Sequence, residues 1–239
     1  MTGCYPDGMT RRLPLILALV PLLLAGAARA DNYLLRGFTW FGFLDGKDLR
    51  EGCLPGAPDR LRLVYNAVYQ EQIRVYEFAR AGAGAAGSVR ARVLARPNFA
   101  GFTIGELLFG ARDPAAEAAL DPPSAEALVA ALVADGFGAP VPKGLTLPSD
   151  GFYWIASGCL GGRFAIQGWL HPGARFEALR FPALLFARDG TGVAVNRPRP
   201  VDAGERMRAR SGNHSRLDTQ PAFDVRLDDD GVVGRVPGF

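Results

Sequence analysis

Two cysteines set the tightest constraint on this chain. Cys53 lies in "GCLPG" and Cys159 in "GCLGG", about a hundred residues apart and each between glycines. A bond between them forces two distant segments together. Whether they bond depends on the compartment, and the N-terminus speaks to that.

The stretch from Met9 has the three parts of a secretory signal peptide. Arg11 and Arg12 form a positive start, Leu13 to Gly26 is an uncharged apolar run, and Ala28-Arg29-Ala30 supplies small residues where a signal peptidase reads. The run is shorter than the roughly 20 residues of a membrane span, and Pro21 interrupts it. Cleavage is expected between Ala30 and Asp31, with residues 1–30 as signal peptide and residues 31–239 as a single exported domain. The alternative is an uncleaved leader that anchors the protein in the inner membrane. The Arg-Arg pair permits a twin-arginine route, but no cofactor motif follows it. No cysteine stands at the cleavage point, so a lipid anchor is not indicated.

An exported chain reaches an oxidising, periplasmic or secreted environment, where paired cysteines form disulfides. Cys4 leaves with the leader, so a Cys53–Cys159 bond is expected. A zinc site would need further ligands at suitable spacing. The chain has two histidines, His171 and His214, and neither is near a cysteine in sequence. A catalytic thiol would need a partner base and would tend to oxidise after export. The flanking glycines suit backbone turns beside a short rigid link.

Charge excludes another class. Residues 1–30 carry three Arg and one Asp, so the net charge of +3 falls to +1 without them. Nucleic-acid binding needs a clustered positive footprint, and none is present in the sequence. Lysine occurs only at Lys47 and Lys143, with Arg, Ala, Gly and Pro abundant, the composition of a GC-rich bacterial genome.

Hydrophobic patterning predicts an α+β fold, mainly antiparallel β-hairpins with a short helical insert at about 103–135. The aromatic stretch 33–43 reads as a strand buried on both faces, with Phe38 and Trp40 on one side and Phe41 and Phe43 on the other. A stacking platform for sugars is the alternative for it. Leu61, Leu63, Tyr65, Ala67 and Tyr69 alternate along one strand face, and Ile73 to Phe78 forms a second strand. "GAGAAG" at Gly82 to Gly87 is a turn. Val89, Ala91 and Val93 then alternate with Arg90 and Arg92, whose face is expected to be solvated. Phe102 to Ala111 reads as a short helix. Asp113-Pro114 starts another that Pro122-Pro123 ends, and Ser124 caps a third, "AEALVAALVAD", stopped by Gly136. Residues 139–149 read as a loop. The second half reads as three hairpins: Phe152 to Leu170 with Cys159 in its turn, one about Asp189-Gly190, and one about Asp230-Gly231. Between the last two, the polar residues 197–221 read as irregular.

Candidate chemistry is sparse. His214, in "SGNHS" with Ser211 and Ser215, and His171, before Pro172, are the histidines available for acid–base work. Adjacent Ser and His rarely face each other as nucleophile and base, and no G-x-S-x-G elbow occurs. Glu71, Glu77 and Asp59 are the carboxylates that would suit glycoside hydrolysis, which needs two at a set separation. "RLDDDG" at Arg226 to Gly231 lacks the ligand spacing of a calcium loop. No dinucleotide, P-loop, zinc-protease or haem motif is present, so no cofactor or metal is expected. The sequence therefore points first to an exported envelope protein that binds or assists, without catalysis, an unidentified protein or small-molecule partner. The alternatives are an envelope hydrolase using His214, His171 or Glu71, and a membrane-anchored protein with an uncleaved leader.

Overall fold

The computed structural model describes residues 1–2, 41–94, 113–211, 222–228 and 231–235. The expected signal peptide, cleavage point, most of the aromatic stretch, the helix at 102–111 and His214 lie outside them. The rest forms an α+β fold of two antiparallel sheets and short helices. In chain order the strands are β1 (Asp59–Ala67), β2 (Gln72–Arg80), β3 (Gly87–Leu94), β4 (Ala115–Leu120), β5 (Leu145–Pro148), β6 (Phe152–Leu160), β7 (Arg163–His171), β8 (Asp224–Asp228) and β9 (Gly231–Arg235). The helices are α1 (Gly42–Asp45), α2 (Lys47–Glu51), α3 (Pro122–Ala134), α4 (Ala174–Glu177), α5 (Phe181–Phe186) and α6 (Ala203–Ser211). A six-stranded sheet runs β4-β3-β2-β1-β6-β7, and a three-stranded sheet runs β5-β8-β9.

The large sheet is the middle layer of three. On its first face Leu61, Leu63, Tyr65, Tyr76, Phe78, Trp154 and Trp169 pack beneath Leu128 and Leu132 of α3 and Phe181 and Leu185 of α5. On its second face Val64, Ile73, Val75, Tyr153 and Ile155 pack against Leu147, Val225 and Leu227 of the small sheet and Leu44 of α1. Burial on both faces extends to polar residues of β1 and β2: Asp59, Arg62, Asn66, Gln72, Arg74 and Arg80 are all buried. It also corrects one expectation: Arg92 points to the second face and is buried, not solvated.

The alternation through Tyr69 breaks at Val68. Leu61, Leu63, Tyr65 and Ala67 belong to the first core and Tyr69 to the second. Val68 adopts φ 57°, a left-handed conformation that β-branched residues avoid at a cost on the order of 1–2 kcal/mol. Its neighbours hold it there. Val68 N–H donates to the Gly151 carbonyl at 3.1 Å, and Tyr69 N–H donates to that of Ser149 at 2.8 Å.

Other expectations are revised by tertiary context. Phe41 and Phe43 are not in a strand: residues 42–45 are helical, and left-handed Gly46 (φ 66°) closes α1. Phe41 and Leu44, buried three residues apart, follow helical rather than strand spacing, and Leu49 is buried from α2 beyond Gly46. Asp113-Pro114 does not start a helix. Ala115–Leu120 is an edge strand on β3, where ladder pairing overrides alanine's helical preference. Pro122-Pro123 opens α3 rather than ending a helix, and the cap is Asp121, whose Oδ1 accepts from Ser124 N–H at 2.9 Å. Within the loop expected at 139–149, Leu145–Pro148 forms β5 against β8. The polar stretch after 197 contains helix α6.

Two of the three expected hairpins are present. β8 pairs β9 from Asp224↔Arg235 to Asp228↔Gly231. β6 pairs β7 with its turn at Gly161-Gly162, so Cys159 is not in the turn: it sits in β6 opposite Arg60 and Phe164. The hairpin about Asp189-Gly190 is absent. Phe181 and Leu185, one helical turn apart, anchor α5 on the core, and residues 187–201 then cross the sheet face without pairing.

The Cys53–Cys159 disulfide is present, with Cα atoms 5.4 Å apart. Glycines make room for it. A Cβ on Gly162 would lie 2.8 Å from the carbonyl oxygen of Leu54 and 2.9 Å from Cα of Pro55, so "GCLGG" lets the backbone of "GCLPG" rest against it. A Cβ on Gly158 would land on the Arg60 carbonyl oxygen and 2.7 Å from Cα of Leu61. Backbone cannot yield there as a side chain would. Gly158→Ala is expected to lower stability toward the upper end of the roughly 1–3 kcal/mol typical of overpacking, read as a drop in the urea midpoint.

Candidate functional site

Polar chemistry collects on the first face, where one end of the large sheet meets the segment 187–201. Register places His171, Phe152, Ala67 and Gln72 in one row across β7, β6, β1 and β2. The turn carrying Val68 and Glu71 rises from that row. The segment 187–201, here called the strap, crosses above it.

Arg74 is the centre of the arrangement. It is fully buried on β2, in phase with Tyr76 and Phe78, and it points at the strap. Its Nη1 pairs with Asp189, its Nη2 donates to the Val193 carbonyl at 2.6 Å, and its Nε donates to Gln72 Oε1 at 2.9 Å. Asp189 also accepts from the Tyr76 hydroxyl at 2.6 Å and from Thr191 N–H at 3.0 Å. Burial alone would raise the Asp189 carboxyl. Hydrogen bonds from Thr191 and Tyr76, with the Arg74 charge, more than offset this and hold it below its ordinary 3.8. Burial pushes the Tyr76 hydroxyl well above its usual range, and the bond to Asp189 adds to the shift, so it stays a donor.

The strap's main chain is read in the same way. The Tyr65 hydroxyl donates to the Asn196 carbonyl at 2.8 Å. Gln72 Nε2 donates to the Ala194 carbonyl at 3.0 Å, and Gln72 Oε1 accepts from Asn196 N–H at 3.1 Å. Below these groups Tyr65 stacks on Trp154 with centroids 4.8 Å apart. At the strap's far end Arg199 bridges Glu71 and Glu205, at 2.7 Å to each. The bond to Glu205, with both carboxylate charges, raises the Arg199 guanidinium above its ordinary range.

Glu71 and His171, singled out from sequence, reach the same end of the sheet but do not join. Both oxygens of Glu71 are engaged, one by Asn196 Nδ2 at 2.6 Å and one by Arg199. His171 stands edge-on to Phe152 and to Phe176, and its Nε2 lies 3.3 Å from Glu177 on α4. Phe152 lies between the two groups, with the Arg199 guanidinium carbon 5.9 Å from its centroid. The other carboxylates are elsewhere. Glu77 faces Arg62, which Asp48 also clasps with two bonds of 2.8 Å. Asp59, at the opposite end of β1, is buried against Arg80 at 2.7 Å. They form no flanking pair of the kind glycoside hydrolysis uses. Among the described residues no group of three or more His, Cys, Asp or Glu could hold a metal ion. Among them too, no helix is long and apolar enough to cross a membrane.

Sequence reasoning missed Arg74, Tyr76, Gln72, Asp189 and Asn196. One signal was available: "QIRVYEF" puts Gln72 and Arg74 in phase with Tyr76 and Phe78. A charge on a core-facing position demands a partner from elsewhere in the chain. Comparison with known proteins adds nothing to this geometry: no protein-family model, no curated protein and no solved structure matches the chain.

Proposed function

We propose that this chain is an exported envelope protein that binds or assists a partner and does not catalyse a reaction. The observation that carries the reading is the commitment of the acid–base groups to one another. Glu71 accepts on both oxygens, and Arg74 and Asp189 are spent holding the strap. A carboxylate with both oxygens already hydrogen-bonded within the protein has neither aimed at a substrate. Such networks make a rigid scaffold of the kind that presents surfaces and loops. The leader-like N-terminus and the Cys53–Cys159 bond support export.

The hydrolase alternative rests on the His171–Glu177 contact, a carboxylate orienting an imidazole. The test is turnover of chromogenic esters and glycosides from pH 5 to 9 by the oxidised protein and its His171→Ala and His214→Ala variants. The expected result is the same background rate in all three. Turnover by the wild type that falls at least tenfold in either variant overturns the reading in favour of the hydrolase.

A further inference from the structure

The contacts between sheet and strap have the form of a peptide in its receptor. Ordinarily a chain crossing a sheet is held by apolar side chains or by a ladder. Here residues 190–200 belong to no strand or helix, and Val193 and Val195 are only partly buried. The sheet instead reads the main chain with side chains: Arg74, Gln72 and Tyr65 take the carbonyls of Val193, Ala194 and Asn196. Recognition through carbonyls tolerates sequence variation in the ligand. One side chain supplies the address. Asp189 meets a fully buried arginine and a tyrosine hydroxyl, the charge-assisted contact that separates an acidic ligand from a neutral one. Few buried apolar contacts and many side-chain bonds make such a segment a candidate for local opening while the core stays folded.

We propose that the first face of the sheet around Arg74, Tyr76, Gln72 and Tyr65 is a binding groove for a non-helical peptide segment addressed by an aspartate, and that the strap occupies it in cis as an autoinhibitory placeholder. This rests on the binding reading above and names its ligand class. A partner segment with an aspartate followed, as in the strap, by a bend with a left-handed glycine replaces the strap by the same bonds. The strap then leaves as a unit, between the end of α5 and the start of α6.

The test uses the full-length oxidised protein and a labelled synthetic peptide, RDGTGVAVN, copying Arg188 to Asn196. A second peptide carries Asn for the Asp. Binding is read by fluorescence anisotropy in wild type and in Asp189→Asn, and strap opening by hydrogen exchange. In Asp189→Asn the strap is expected to exchange faster than in wild type. That variant should bind the Asp peptide about tenfold or more tighter than wild type does, and tighter than it binds the Asn peptide by a similar factor. Equal affinity for the two peptides, or no binding by a variant whose strap exchanges freely, overturns the proposal. So does a strap as protected in Asp189→Asn as in wild type, because Asp189 would then not be its latch. Should Asp189→Asn fail to fold, Thr191→Ala, which removes only a hydroxyl beside Asp189, carries the same comparison. A peptide failure leaves the binding reading standing, whereas histidine-dependent turnover sinks that reading without touching the peptide result.

Discussion

Replacing Arg74 by methionine is expected to lower the unfolding free energy by about 3–5 kcal/mol, the range for removing one partner of a buried ion pair. The guanidinium is fully buried and the Asp189 side chain is 5% exposed, so neither end can turn to water. Without Arg74 the Asp189 carboxylate keeps only its hydroxyl and amide donors, and the Val193 carbonyl loses its partner. Urea unfolding of the two proteins measures the loss, with an unchanged slope indicating that the comparison is clean. The double variant Arg74→Met with Asp189→Leu is expected to recover part of it, since removing both charges also removes their desolvation. A loss below about 1 kcal/mol in the single variant would mean that water reaches the pair, and the strap would not be latched as described. The pH dependence comes from the same group. Asp189 is held below its ordinary 3.8 in the folded protein, so its contribution is present above that value and is lost as the pH falls through the lower, folded one. Wild-type stability should therefore fall more steeply below pH 4 than that of the double variant, which lacks this carboxyl.

The same residues show what local pattern can and cannot reveal. β1, β2, β3 and the β6–β7 hairpin were legible because alternation and glycine turns are local. The third hairpin was legible for the same reason. The helix over 124–135 was visible too, although its cap lies at Asp121, and the Asp113-Pro114 signal upstream misled. Local chemistry favoured a helix at "DPAAEAAL", but a free edge on β3 made it a strand. Asp189-Gly190 is a strong turn signal, yet the chain turns at 187–188, directly after α5, and residues 189–190 are neither turn nor strand. The path of the chain beyond α5 is decided by Arg74, 115 residues before Asp189, a separation that no local window spans. The site was half legible for this reason. Glu71 and His171 could be picked by residue type, but their separation by Phe152 and their engagement by Arg199, Asn196 and Glu177 depend on register across four strands. The opposite holds for the cysteines. Their pairing needed no geometry, because apart from Cys4 the sequence offers neither of them another cysteine.

Removal of the disulfide by Cys53→Ala with Cys159→Ala is the second large effect, expected to cost about 2–5 kcal/mol. The bond closes a loop of 106 residues, and the chain-entropy model gives about 4.7 kcal/mol for a loop near one hundred. That figure is an upper value, because an unfolded chain that retains structure gains less freedom than the model assumes. In the folded protein residues 41–53 have other ties to the sheet. Leu44 is fully buried, Leu49 nearly so, and Asp48 clasps Arg62 across β1. These contacts keep the folded structure intact without the bond, so near-ultraviolet circular dichroism of the variant should match that of wild type. The loss should arise in the unfolded chain, which gains the freedom that the loop denied it. Alanine suits the comparison at Cys159, which is 2% exposed within β6, since a hydroxyl there would add a desolvation cost of its own. Reducing the wild-type protein should reproduce the variant's unfolding midpoint. If the variant loses less than about 1 kcal/mol, the unfolded chain already holds residues 53 and 159 close, and the bond records an early contact rather than enforcing a late one. If instead its circular dichroism changes, the bond positions α1 and α2 on the second face, and the packing of Leu44 depends on the tie rather than accompanying it.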